Sequence, residues 1–133
     1  MATKQVAAGI VVCNGKILIA QRKHGKSCEY LWEFPGGKLE EGETLPQCLA
    51  RELQEELKLP VTVGDFFMKS EYTYDFGTIV LNAYFATCDN ADLPFHPDHE
   101  QTRWISPQDF DNFTFAPADQ PIVAALKKFE WKN

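Results

Sequence analysis

Leucines recur at every fourth residue near the middle of the chain, and this repeat constrains the fold more than any other feature: they are Leu45, Leu49, Leu53 and Leu57. A repeat of this period places the side chains along one face of an α-helix, which is stable in water when that face packs on another apolar surface. Thr44 and Gln47 are spaced as a capping box, Pro46 is tolerated in a first turn, and Pro60 ends the helix. We therefore expect one central helix that packs on a sheet.

The segments on both sides of this helix have the composition of β-strands. Val6–Val12 and Lys16–Ala20 are apolar runs joined at Asn14-Gly15, which predicts a buried β-hairpin. Polar loops are predicted at 23–30 and 38–43, and the cluster Phe34-Pro35-Gly36-Gly37 predicts a sharp turn. The further elements are strands at 61–70 and 78–87, a short strand near 103–105, a short helix that opens at Ser106-Pro107 and an amphipathic helix over 118–131. This order predicts an α/β (α+β) fold with a mixed sheet and helices on its faces.

Length, cysteine spacing and charge exclude several classes of protein. The 133 residues fit a single domain, 1–133, and no apolar run approaches the roughly 20 residues of a membrane span. Met1–Val6 lack the pattern of a targeting segment, so we expect a cytoplasmic protein. The net charge of −6 argues against a nucleic-acid polymer as partner. The cysteines lack metal-ligand spacing, which argues against a zinc site or disulfides and predicts buried thiols at Cys13, Cys28, Cys48 and Cys88.

Residues that carry chemistry are concentrated between Gly37 and Leu59, where six glutamates follow a glycine pair. On the predicted helix, Glu52, Glu55 and Glu56 fall within one arc of roughly 100°. Like charges at this spacing destabilise a helix, and a bound divalent cation would reverse that cost. Oxygen ligands without a nearby His or Cys favour Mg²⁺, with Mn²⁺ also possible. Bare backbone at the glycine pair would let a carbonyl or amide approach a metal or a phosphate.

This stretch resembles the Nudix box. It has Gly37, then Glu43 after five residues, then Arg51-Glu52-Leu53-Gln54-Glu55-Glu56 after seven more, and an apolar Leu59. Lys58 stands where that family usually has a glycine after the catalytic helix, which leaves the local turn in question but removes no ligand. The resemblance implies a Nudix-type α/β/α sandwich, in which a mixed, curved sheet lies between helices.

The similarity extends beyond the box. Residues 31–38 look like the lead-in of the MutT-like branch, and 20–22 resemble its second strand, where an arginine meets the substrate. Residues 116–119, followed by Pro121, resemble the segment with which that branch, particularly the CTP pyrophosphohydrolases, recognises the base. Tyr72 and Tyr74 are candidates for stacking on the base. The expected substrate-binding residues are Arg22, Phe34, Pro35, Gly36, Gly37, Lys38, Leu39, Tyr72, Tyr74 and Asp119.

The resemblance also implies the catalytic machinery. Arg51, Glu52 and Glu55 are the expected catalytic residues, and Glu52 would orient or deprotonate the attacking water, with a loop carboxylate as the alternative. The expected metal ligands are the Gly37 carbonyl, Glu52, Glu55, Glu56 and a loop carboxylate, for which Asp98 and Glu100 both qualify. The histidines lie in polar segments without ligand spacing and receive no role: His24, His96 and His99.

The implied activity is Mg²⁺-dependent hydrolysis of a nucleoside triphosphate at the β-phosphorus, which yields a nucleoside monophosphate and pyrophosphate. CTP, dCTP or a modified pyrimidine triphosphate is the first substrate class, and 8-oxo-dGTP is the alternative. ADP-ribose or a nucleotide sugar is a further alternative. A non-catalytic nucleotide-sensing domain is a reading of another class, although such domains often lose box carboxylates that this chain retains. Both a monomer and a homodimer are compatible with the sequence.

Overall fold

A computed structural model describes residues 2–92 and 98–131. Within these residues, seven strands form one sheet and two α-helices pack on it. The elements are β1 (Thr3–Cys13), β2 (Lys16–Arg22), β3 (Trp32–Glu33), β4 (Gly36–Lys38), α1 (Leu45–Leu57), β5 (Thr62–Tyr74), β6 (Gly77–Thr87), β7 (His99–Ile105) and α2 (Gln120–Lys127), with 3-10 helices at Pro107–Asn112 and Pro117–Asp119. None of the described helices is long and apolar enough to cross a membrane.

The sheet is mixed, as expected. Its strand order is β3-β2-β1-β6-β5, with β4 paired to β1 and β7 paired to β2. β1 and β6 run parallel from Thr3↔Thr78 to Val12↔Thr87, and the other pairs are antiparallel. β1 therefore lies at the centre of the sheet, paired with β2, β4 and β6.

Apolar side chains cover both faces of the sheet, because successive residues of a strand point to opposite faces. Ile10 of β1 belongs to a cluster that contains Ile122 and Leu126 of α2. Its neighbour Val11 belongs to a second cluster, which contains Leu49, Leu53 and Leu57 of α1. The two helices thus cover opposite faces, which confirms the α/β/α arrangement.

The local signals around the hairpin and α1 are also confirmed. Asn14 and Gly15 have φ values of 53° and 76°, as a two-residue hairpin turn requires. Thr44 and Gln47 form the capping box that opens α1. Lys58 ends α1 in the left-handed conformation, with φ 53° and ψ 36°, and its N–H donates to the carbonyl oxygens of Gln54 and Leu53. The turn usually made by glycine is therefore preserved at a residue for which this conformation is unfavourable.

Four predictions of local structure differ from the observed elements. Gly36 and Gly37 do not form a sharp turn but belong to β4, which pairs with β1 through Ala7↔Gly37 and Ala8↔Gly36. β5 continues to Tyr74, and β7 begins at His99 rather than near 103, because both pair with long neighbouring strands. The last helix covers only Gln120–Lys127 and is preceded by a 3-10 turn.

The cysteine prediction holds in part. All four thiols are free, and Cys13 and Cys48 are buried, whereas Cys28 and Cys88 are only half-buried. His96, together with the rest of 93–97, lies outside the described residues.

Candidate active site

A cavity of about 280 Å³ brings together acidic, basic and aromatic side chains from distant parts of the chain. β1, β2, β4, α1, β6 and β7 all contribute to it, as do the loop after β2 and the 3-10 turn before α2. Its charged and aromatic lining includes Lys4, Arg22, Lys26, Glu33, Phe34, Lys38, Glu56, Tyr74, Phe76, Asp98 and Asp119. Such a mixture suits a ligand that has both anionic groups and a flat ring.

The glycine pair has a steric explanation. β4 lies very close to both β1 and α1. On the β1 side, a Cβ on Gly36 would lie 1.8 Å from the Ala7 carbonyl oxygen. A Cβ on Gly37 would lie 2.2 Å from the carboxyl carbon of Glu52. Neither glycine has a positive φ, so these residues are required by close approach rather than by backbone conformation. The backbone of Gly37 is thereby held directly against the Glu52 carboxylate.

Arg51 is the centre of an ion-pair network on α1. Its Nε and Nη2 donate to the two carboxylate oxygens of Glu43 at 2.6 and 3.0 Å. Its Nη1 donates to Glu52 Oε1 at 2.9 Å and to Glu55 Oε2 at 3.2 Å. Nη2 also donates to the Lys38 carbonyl oxygen at 3.2 Å. The hydrogen bonds from Arg51 lower the pKa of Glu43 to about 2, and Arg51 therefore ties the loop before α1 to the helix.

Glu56 lies on the same acidic face of α1 and lines the cavity. Burial and then the charges of Glu52, Glu33 and Asp98 raise the pKa of Glu56 to about 8. Glu55, in contrast, is 61% exposed and faces Arg51. Across 2–92 and 98–131, no three His, Cys, Asp or Glu side chains form a preassembled metal cage. The assignment of Glu52, Glu55 and Glu56 as metal ligands stays a prediction, and the repulsion between Glu56 and the carboxylates around it is the feature that favours it.

The two candidate loop carboxylates, Asp98 and Glu100, have different surroundings in the structure. Asp98 lines the cavity and contributes to the raised pKa of Glu56. Glu100 does not line the cavity; its Oε1 instead accepts a hydrogen bond from the backbone N–H of His24 at 3.0 Å. Asp98 is therefore the better candidate for an additional metal ligand, and Glu100 anchors the loop after β2.

Asp119 lies beneath the aromatic part of the cavity and is only 5% exposed. Its Oδ1 accepts a hydrogen bond from the Phe34 N–H at 3.0 Å, and burial raises the pKa of its carboxyl well above the usual range. Ser70 Oγ donates to the Ala118 carbonyl, and Tyr74 Oη accepts from the Ala118 N–H, so β5 fixes the turn that carries Asp119. A neutral carboxyl at this position can both donate and accept a hydrogen bond.

Only some of the expected substrate-binding residues line the cavity. Arg22, Phe34, Gly36, Gly37, Lys38, Tyr74 and Asp119 line the cavity, whereas Pro35, Leu39 and Tyr72 do not. Pro35 is buried in the core, and Tyr72 is 43% exposed on β5, where its ring packs against Tyr74 with centroids 4.7 Å apart.

Sequence reasoning missed several of the residues that line this cavity, among them Phe76, Glu33 and His99. Phe76 stacks on Tyr74 with an interplanar angle of 4°, and its alternation with Tyr72 and Tyr74 was a usable signal. Glu33 lies between the aromatic residues Trp32 and Phe34 and interrupts an apolar run, and this charged residue was a second usable signal. His99 was assigned to a polar loop but begins β7 and is buried, and no local spacing indicated this.

Comparison with known proteins agrees with this geometry. The family model of the NUDIX domain matches residues 3–126. The chain is 37% identical over 122 residues to a CTP pyrophosphohydrolase of Escherichia coli K12, a match that covers 92% of this chain and 90% of that protein. It is 33% identical over 125 residues to an 8-oxo-dGTP diphosphatase of the same strain, with 93% and 96% covered. The solution structure of the E. coli ORF135 protein matches with a TM-score of 0.82 and 36% identity, over 96% of this chain and 91% of that one.

Proposed function

Because the chain belongs to the Nudix family, we propose that it hydrolyses a nucleoside triphosphate to a nucleoside monophosphate and pyrophosphate with the help of a divalent cation. The observation that carries this proposal is the position of Glu52 and Glu56 beside a cavity that also holds Arg22, Lys38 and aromatic rings. The carboxylates would hold the cation, the basic side chains would contact the phosphates, and the aromatic side would take the base.

The cation is expected to be Mg²⁺, with Mn²⁺ as an alternative. Hard carboxylate oxygens suit either ion, and the mutual repulsion around Glu56 is relieved when a positive charge is bound. When bound, a divalent cation neutralises phosphate charge and makes a bound water more acidic. Glu52, Glu55, Glu56, Asp98 and the Gly37 carbonyl would hold it. Arg51 contacts one oxygen of Glu52 and one of Glu55, so it leaves the second oxygen of each carboxylate for another partner.

Glu52 would orient or deprotonate the attacking water. It is fixed from two sides, by the hydrogen bond from Arg51 and by the closely packed Gly37. A carboxylate held in this way keeps one geometry toward the reacting phosphorus, which is what general-base catalysis requires. Arg51 acts by holding Glu52 and the preceding loop in place.

The first substrate class is a pyrimidine triphosphate such as CTP, dCTP or a modified dCTP, and 8-oxo-dGTP is the second. Relatives of both kinds match over most of the chain, at 37% and 33% identity. Asp119, which lines the cavity and accepts a hydrogen bond from the Phe34 N–H, would read the edge of the base. As a neutral carboxyl it could pair with cytosine, which presents an amine donor next to a ring acceptor.

A substrate panel tests this proposal. The purified protein would be incubated with Mg²⁺ and canonical, methylated and oxidised nucleoside triphosphates, ADP-ribose and nucleotide sugars, and kcat/KM and products would be measured for each. A lead by a cytidine nucleotide, with pyrophosphate released, supports the first class. A lead by 8-oxo-dGTP supports the second, and no metal-dependent turnover of any compound would indicate a nucleotide-sensing domain.

A further inference from the structure

His99 begins a chain of hydrogen bonds that ends at the loop after β2. Its side chain is 4% exposed, and its Nε2 lies 3.1 Å from Glu33 Oε2. The other oxygen of Glu33 accepts from Arg22 Nη1 at 2.8 Å. Arg22 and His99 are also register partners of β2 and β7. One carboxylate is thus held between a cation and an imidazole.

Arg22 connects Glu33 to the loop after β2 through hydrogen bonds with Ser27. Its Nε donates to the Ser27 carbonyl at 2.6 Å, and its Nη2 donates to Ser27 Oγ at 3.1 Å. Gly25, Cys28 and Tyr30 in this loop have positive φ values of 89°, 55° and 66°, and for Cys28 and Tyr30 this conformation is unfavourable unless other contacts hold it. Lys26, Ser27 and Cys28 line the cavity, and the two hydrogen bonds from Arg22 to Ser27 join the backbone hydrogen bonds of the loop in holding this wall.

Glu33 can perform this task only when both oxygens are engaged. Burial raises the pKa of Glu33, but the hydrogen bonds from His99 and Arg22 outweigh burial and hold its pKa below the ordinary value. Since an ionised carboxylate only accepts hydrogen bonds, His99 Nε2 must be the donor. Without that donor, the carboxylate could rotate about its last bond, and one buried oxygen would lose its partner.

We propose that His99 is a positioning residue, which holds Glu33 so that Arg22 and residues 23–31 keep the geometry needed to bind the phosphates of the substrate. This inference rests on the proposed function for its kinetic consequence but not for its structural one. Among the described residues, His99 Nδ1 is buried without a hydrogen-bond partner. Among residues 2–92 and 98–131, the ring therefore makes one polar contact, which is with Glu33.

A matched pair of variants tests the kinetic consequence. The amide of His99→Gln is long enough to reach Glu33, whereas the amide of His99→Asn is one methylene shorter and is not. We expect His99→Asn to raise KM about tenfold, the scale of a lost hydrogen bond to a charged group, with kcat nearly unchanged. His99→Gln should recover most of that loss. Lys127→Met is the control, because it removes a side chain that pairs with a carboxylate, Asp111, outside the cavity.

Hydrogen exchange tests the structural consequence without any substrate. Amides of residues 23–31 should exchange faster in His99→Asn than in wild type and should be protected again in His99→Gln. Glu33→Gln should have the same effect, and the combination with His99→Asn should add little to it. Additive effects, or equal behaviour of the Asn and Gln variants, would show that His99 only fills space. Loosening of the loop in a protein that hydrolyses no nucleotide would support the positioning role and reject the proposed function alone.

Discussion

Arg51 and Arg22 both hold carboxylates beside the same cavity, but they do so in different ways. Arg51 binds Glu43, Glu52 and Glu55, all within eight positions of it in the sequence. Arg22 binds Glu33, which in turn binds His99, 66 positions away from Glu33. The first group depends on one helix and its preceding loop, whereas the second depends on the pairing of β2 with β3 and β7.

The two groups also differ in charge. Around Arg51, four carboxylates share one guanidinium, those of Glu40, Glu43, Glu52 and Glu55, and Glu56 adds another carboxylate nearby. Around Arg22, one guanidinium is matched by one carboxylate, and a histidine supplies the remaining hydrogen bond. A bound cation would relieve the repulsion within an excess of carboxylates, whereas a carboxylate that is already paired with an arginine needs no further positive charge. We infer that the Arg51 group serves the chemistry and the Arg22 group serves the shape of the binding site.

The largest expected effect is that of Glu52→Gln. If the Arg51 group performs the chemistry, kcat should fall by about 10³-fold or more, since general-base assistance and a metal ligand are lost together. The fold should persist, because Gln keeps the size of the side chain. Steady-state kinetics and thermal melting measure both quantities. Glu41→Gln, which changes an exposed glutamate before the same helix, should retain wild-type turnover.

Arg51→Lys should have the next largest effect. Lysine keeps the charge but cannot make the bidentate contact with Glu43 while also reaching Glu52 and Glu55. We expect kcat to fall by about 10²-fold because Glu52 loses its orientation. Arg103→Lys, on exposed β7 surface, is the control. Equal turnover in the two variants would mean that charge alone, and not the shape of the contact, matters at Arg51.

Arg22→Lys should affect binding more than chemistry. A lysine cannot hold Glu33 and both Ser27 oxygens at once, so the loop wall should loosen. KM should rise about tenfold, with a smaller change in kcat. A fall in kcat as large as that of Arg51→Lys would remove the distinction between the two groups.

These contrasts explain how much could be predicted from the sequence. Contacts within a helix and its preceding loop follow from spacing, so the network around Arg51 was accessible from the order of Glu43, Arg51, Glu52 and Glu55. The pairing of His99 with Glu33 depends on strand register, which sequence spacing does not encode. Gly36 and Gly37 were predicted to form a sharp turn but lie in a strand, because the close approach of β1 and α1 is a tertiary feature.

Asp119 should make stability depend on pH. Burial raises the pKa of the folded carboxyl, so the folded protein keeps a proton that the unfolded chain has already lost. Stability should therefore decrease as pH rises from about 4, the ordinary value for Asp, toward the raised value of the folded state. Glu56 contributes in the same direction, and Asp119→Asn isolates the share of Asp119 by flattening the slope in urea unfolding. An unchanged slope, equal to that of the exposed control Asp92→Asn, would contradict the buried neutral carboxyl.

The smallest effect is expected at Lys58. The backbone of this residue has the left-handed conformation at the end of α1, which glycine adopts without a steric cost. Lys58→Gly should therefore raise the free energy of unfolding by about 1 kcal/mol. Kinetic constants should not change, because the side chain does not line the cavity. Lys16→Gly, at an exposed strand position, should instead destabilise the protein.

The central claim is that the carboxylate excess on α1 exists to bind a divalent cation, and Mn²⁺ binding tests it most directly. Free Mn²⁺ would be titrated by electron paramagnetic resonance in the presence of the wild type, Glu56→Gln and Glu41→Gln. We predict that the wild type and Glu41→Gln bind Mn²⁺ with equal affinity and that Glu56→Gln binds at least about tenfold more weakly. Equal affinity in all three proteins would contradict the assignment of this helix face as the metal site.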